Sequence, residues 1–122
     1  MDKKDMLRHP EGSIYAKGYG VIAKQVMQDR RLSIEAKAIY AYLCSYAGAG
    51  ESAFPSVKKM CYDMQIDIKR FYKHRKQLEE HGYIEVQHRR WRETMKKANN
   101  IYQLNNHVEC LEEEQNPYTH IG

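Results

Sequence analysis

FPSVKKMCYDMQIDIKRFYKHRKQLEEHG, residues 54–82, reads as two helices joined by a very short turn. The second helix carries most of the information. With Asp67 as its N-cap, Phe71, His74, Arg75 and Leu78 fall on one side at helical spacing, and Arg75 is expected to lend that side only its aliphatic stem. The opposite side is almost entirely cationic. Lys69, Lys73 and Lys76 recur there at i, i+4 and i+7, flanked by Arg70 and Tyr72, and Glu79 and Glu80 enter only in the last turn. A helix that opens with this charge pattern suits a phosphate-lined groove. The same run also fits a solvated surface helix, so the neighbouring elements decide.

The helix before it is expected from about Ser56 to Met64, with Val57, Met60, Cys61 and Met64 as its apolar positions and Ser56 as its N-cap. Two helices in this arrangement form a helix-turn-helix, in which the first crosses the DNA backbone. The Ser56 hydroxyl, the free amides at the helix start and Lys58 or Lys59 can then hold a phosphate. Capping alone is the plainer role for Ser56, and the two are compatible. After Gly82, the runs Tyr83 to Gln87 and Ile101 to Leu104 alternate as strands do, and HRRWRETMKKANN lies between them. The expected β-hairpin carries Arg89, Arg90, Arg92, Lys96 and Lys97 around Trp91 at its tip. A charged tip would keep any exposed hairpin soluble, but five cations against the single acid Glu93 favour contact with a nucleic-acid backbone.

Upstream, Ser33 is expected to cap a scaffold helix whose packing positions are Ala36, Ile39, Tyr40, Leu43 and Ala47, ended by the glycines from Gly48 to Gly50. Gly48 to Pro55 is read as a loop, and Val21 to Val26 as a short strand at the edge of a small sheet. Tyr15 and Tyr19 are assigned to covering the core rather than to stacking on a partner. The 122 residues, 42% hydrophobic and 30% charged, support one modest core. The expected organisation is a flexible arm at 1–13, one domain at 14–106 and an acidic tail at 107–122. The fold class is α+β and mainly helical, a three-helix winged helix-turn-helix with a small antiparallel sheet and a β-hairpin wing.

A net charge of +4 only permits a nucleic-acid partner, but its distribution says more. From Lys58 to Lys97, twelve Lys or Arg stand against six Asp or Glu, and no Lys or Arg follows Lys97. Cys44, Cys61 and Cys110 are odd in number and lack CxxC spacing, so reduced thiols are expected. His74, His81 and His88 recur every seven residues without an accompanying Cys pair, so no metal is expected. No cofactor or small-molecule ligand is evident. No apolar run of membrane-spanning length and no secretory signal is present, which makes the expected location cytoplasmic.

The pattern LS-x-x-AK-x-IY at Leu32 to Tyr40, FPS at Phe54 to Ser56, L-x-x-x-GYI at Leu78 to Ile84 and NIYQL at Asn100 to Leu104 resembles the winged helix-turn-helix domains of Gram-positive plasmid, phage and integrative-element proteins, replication initiators and replisome organisers among them. The likeness covers about residues 20–106. It implies binding of double-stranded DNA in replication or transcriptional control of a mobile element. Gln65 stands where such turns often carry Gly, so a modestly strained left-handed residue is expected there. Replication proteins of this kind append a further helical or ATPase-contacting region, and none is read after residue 106, which favours a stand-alone regulator.

The reading is a non-enzymatic binder of double-stranded DNA. Its contacts are expected from Ser56, Lys58 and Lys59, from Lys69, Arg70, Tyr72, Lys73 and Lys76, and from Arg89, Arg90, Arg92, Lys96 and Lys97. The alternative from another class is a protein-interaction module on a winged-helix scaffold. Oligomeric state stays open, a homodimer included, as do the DNA sequence and the role of the tail.

Overall fold

The computed structural model describes residues 12–48, 50–53, 55–90 and 97–108. In chain order these form α1 (Lys24–Gln28), α2 (Ile34–Ala47), β1 (Ser52–Ala53), α3 (Val57–Met64), α4 (Ile68–Glu80), β2 (Ile84–Arg90) and β3 (Lys97–Leu104). The three longer helices each begin on a side-chain oxygen, as their local sequence predicts. Ser33 Oγ accepts from the Ala36 amide, Ser56 Oγ from the Lys59 amide, and the Asp67 carboxylate from the Arg70 amide. Gly48 closes α2 with φ 61°, a value in the left-handed region, and its N–H donates to the Cys44 carbonyl.

The sheet is antiparallel throughout, with β3 in the centre between β1 and β2. Tyr102 in β3 is therefore opposite Ala53 on one side and Val86 on the other. Its ring is fully buried, together with Phe71 and Leu78 of α4, Ile39 and Leu43 of α2, Met60 of α3 and Val26 of α1. The mainly helical architecture with a small three-stranded sheet and a β2–β3 hairpin is that of a winged helix-turn-helix.

Four local expectations change. Val21 to Val26 is not a strand: Val21 is exposed, and the chain turns into α1 instead. Lys24, Gln25, Met27 and Gln28 are good helix formers, and a single turn suffices to bury Val26 while Met27 packs against the core edge. The loop between α2 and α3 contains a strand, β1, whose register pairs Ser52 with Gln103. Tyr15 and Tyr19 do not cover the core. Both are about half exposed and meet each other edge to face, with ring centroids 5.5 Å apart. Arg75 buries its guanidinium as well as its stem, because aromatic rings surround it. Cζ lies 4.8 Å from the Tyr72 ring centroid and 6.0 Å from that of Tyr102, and Nη1 donates to the Tyr102 hydroxyl at 3.3 Å.

Candidate nucleic-acid interface

Between α3 and α4 the chain reverses on one left-handed residue, Gln65, at φ 55° and ψ 47°. Its N–H donates to the Cys61 carbonyl, and the Ile66 amide donates to the same oxygen at 3.2 Å. The polypeptide can then start α4 at Asp67 without delay. Phe71, His74, Arg75 and Leu78 are the buried residues of α4, so rotation about its axis is settled by packing. Lys69, Arg70, Tyr72, Lys73 and Lys76 are exposed.

These five exposed residues differ in how they are held. Arg70 reaches across to α2, where Glu35 Oε2 accepts from Nε at 3.3 Å and from Nη2 at 3.2 Å. Lys76 lies 3.9 Å from the Glu80 carboxylate, a weak solvent-exposed pair. Tyr72 packs edge to face on Phe71 and stacks over the Arg75 guanidinium. Lys69 and Lys73 pair with no acidic side chain among the described residues. Arg75 Nε is 3.5 Å from Glu79, close enough for ion pairing, but makes no hydrogen bond.

The middle of α4 is bolted to the start of α2. The Ser33 amide donates to Gln77 Oε1 at 2.8 Å, and Ser33 Oγ is 2.7 Å from His74 Nδ1. His74 Nε2 is 3.2 Å from Glu35 Oε2. One proton arrangement satisfies all these groups: Nε2–H donates to Glu35, and Nδ1 accepts from the Ser33 hydroxyl, whose oxygen meanwhile caps α2. The Glu35 carboxyl is held below its ordinary pKa, first by its own backbone amide and then by Arg70, against an opposing effect of burial.

At the start of α3 the Ser56 hydroxyl oxygen is committed to the Lys59 amide, while its hydrogen remains able to donate. Lys58 is exposed. Lys59 Nζ is 2.9 Å from Asp63, which also accepts a 2.5 Å hydrogen bond from Tyr42. Both bonds hold the Asp63 carboxyl below its usual range, Tyr42 more strongly than Lys59, and Asp63 in turn raises the Lys59 ammonium. Lys58 is thus the freer cation of the two. Sequence reasoning missed both partners: Glu35 lies on α2, far from Arg70 in the chain and without a signal of its own, whereas Asp63 stands one turn beyond Lys59 in α3, an i,i+4 spacing that was there to be read.

The hairpin brings Arg89 opposite Ala98 and Arg90 opposite Lys97, beyond an irregularity between Gln87 and Arg89. Arg92, Lys96 and Trp91 lie outside the described residues. His88 Nδ1 is 3.1 Å from Asn100 Oδ1 across the ladder, and His81 is the C-cap of α4. With His74 in the α2–α4 contact, each of the three histidines has a place of its own. Among the described residues no group of three or more His, Cys, Asp or Glu could hold a metal ion. Cys44 and Cys61 are free thiols, both raised in pKa by burial. No helix among the described residues is long and apolar enough to cross a membrane.

A capped first helix, a one-residue left-handed reversal and a second helix with a buried and a cationic face define a helix-turn-helix. Consistent with that class, residues 30–84 match a family model described as a helix-turn-helix domain. The matched stretch runs from just before α2 to the first residue of β2. No curated protein matches the chain, and no solved structure does.

Proposed function

We propose that this protein binds double-stranded DNA through α4 in the major groove, with the start of α3 on a phosphate and the hairpin on the adjacent backbone or minor groove, in replication or transcriptional control of a mobile element. The observation that carries this reading is the division of α4. Its apolar side is consumed by the core, and Lys69, Arg70, Tyr72, Lys73 and Lys76 occupy the side left to solvent. A helix locked in rotation presents a fixed set of donors, as groove recognition demands. Ser56 and Lys58 supply the phosphate contact at α3, with Lys59 available once it leaves Asp63. Arg90 and Lys97 are cations at paired strand positions, an arrangement that an anionic partner relieves. The mobile-element role is supported by the sequence resemblance over residues 20–106. The domain is proposed to span 14–106, between the arm at 1–13 and the acidic tail at 107–122.

The test is a variant carrying Lys69→Ala and Lys73→Ala. Neither side chain contributes to the core, so the thermal midpoint should hold while duplex affinity falls. A titration at low salt showing unchanged affinity would remove α4 from the groove and favour the interaction-module reading. Selection from a random duplex library would then identify the target, and a palindromic product would imply a homodimer.

A further inference from the structure

The exposed residues of α4 are chemically unequal, and the inequality concerns Arg70. Building on the DNA-binding reading above, we propose that Arg70 is the residue of α4 that reads a guanine base, and that Glu35 of α2 is its positioning residue.

Net charge and directional donors serve different ends on DNA. Phosphate binding draws its strength from charge, through release of condensed counterions, and carries no sequence information. Arg70 is paired with Glu35 and has little net charge to offer, whereas Lys69 and Lys73 have all of theirs. What the pair preserves is a planar fork in a defined orientation. A guanidinium carries five N–H donors, and Glu35 takes those on one lateral edge, at Nε and at Nη2. The terminal edge keeps one N–H on each of Nη1 and Nη2, parallel and unspent. Guanine presents two acceptors, O6 and N7, on its major-groove edge, and a two-donor fork matches them.

The orientation is secured from behind. Glu35 cannot swing away freely, because the same Oε2 faces His74 Nε2, and His74 is fixed by Ser33 Oγ at the cap of α2. Arg70 also sits in the first turn of α4, immediately after the Asp67 cap, the end of a recognition helix that enters the groove. An Arg side chain free in solution would lose rotamer entropy on reaching a base. The Glu35 contact settles that cost before DNA arrives.

The experiment is parallel selection from one random duplex library with the full chain as wild type, Arg70→Lys, Glu35→Ala and Glu35→Gln. Affinity for the unselected pool and the thermal midpoint are measured alongside. Wild type should enrich a motif containing a G·C pair preferred about 5- to 150-fold at one position. Arg70→Lys keeps the positive charge but has no fork, so that preference alone should collapse while pool affinity is retained. Because Arg70 is half exposed, this variant does not put the fold at risk. Glu35→Ala should weaken the preference at the same position, and Glu35→Gln, which still accepts from the guanidinium, should restore most of it. A change in stability without this positional effect would mark Glu35 as merely structural and overturn the proposal. So would a motif unaltered by Arg70→Lys, or a uniform gain in affinity for every duplex in Glu35→Ala, the sign of simple charge masking. Wild type that binds no duplex at any salt concentration would instead defeat the DNA-binding reading as a whole.

Discussion

Asp29 is a carboxylate with nearly every lone pair in use. It accepts from the Arg31 amide and Nε, each at 2.9 Å, from Arg31 Nη2 at 2.7 Å and from the Tyr83 hydroxyl at 2.6 Å, with its side chain only 8% exposed. These bonds, Arg31 foremost, hold its pKa well below the ordinary value of 3.8. A carboxyl depressed in the folded state adds stability that is complete above the unfolded-state pKa and is lost as pH falls through the folded value. Asp29→Asn is therefore expected to cost about 1–2 kcal/mol at neutral pH and progressively less in acid. Denaturant titrations at pH 7 and below pH 3 check this, and equal losses at both would remove the charge from the explanation. Gly20 acts by size. A Cβ there would overlap the Cys44 carbonyl oxygen near the end of α2, a backbone atom that cannot step aside. Gly20→Ala should lower stability by about 1–3 kcal/mol, read as a shift in the denaturation midpoint. Neither role is legible in the sequence, because Tyr83 and Cys44 approach Asp29 and Gly20 only once distant segments have packed. Arg75 was misread for the same reason: its aromatic enclosure is completed by Tyr102 of β3.

Among the elements, what the sequence made legible was what local chemistry controls. Ser33, Ser56 and Asp67 cap their helices as their side chains and the apolar spacing after them predict, and Gln65 takes the left-handed conformation expected at the turn. The elements not foreseen are the shortest. β1 has two residues, too few for any alternation, and exists because β3 offers an edge to Ser52 and Ala53. α1 has five, and its reason is the burial of Val26. On the candidate site, the direction in which α4 presents its cations followed from spacing, and the Lys59–Asp63 pair is an i,i+4 contact within α3, whereas the ion pair that distinguishes Arg70 required α2 and α4 to be brought together. The rotation of α4 itself rests on Leu78, which is fully buried. Leu78→Ala should cost about 2–5 kcal/mol through lost transfer energy and an unfilled cavity. A midpoint that barely moves would mean the buried side of α4 lies elsewhere.

At the scale of the whole molecule, α4 and the hairpin are joined through the sheet, since β2 leaves α4 after one short turn and lies alongside β3, whose Tyr102 is held by Arg75. The hairpin therefore stands in a fixed relation to α4, and on the proposed reading, with α4 in the major groove, the strands' distal ends face the adjacent backbone. Arg89 and Arg90 of β2 are the residues by which to test that reach. If both contact phosphates, each releases condensed counterions on binding, worth roughly 0.9 in the slope of log affinity against log salt concentration. Arg89→Ala with Arg90→Ala should then reduce the slope by about 1.8, and should weaken binding to all duplexes by similar factors, because phosphate contacts carry no base information. The Arg70 variants are expected to do the reverse, altering preference at one base pair while leaving the salt dependence nearly intact. Measured on the same duplexes, the two sets separate charge from readout. An unchanged slope in the double hairpin variant would take the hairpin off the DNA and leave its cations to an acidic protein partner, whereas an altered sequence preference with an unchanged slope would make the hairpin a reader of bases.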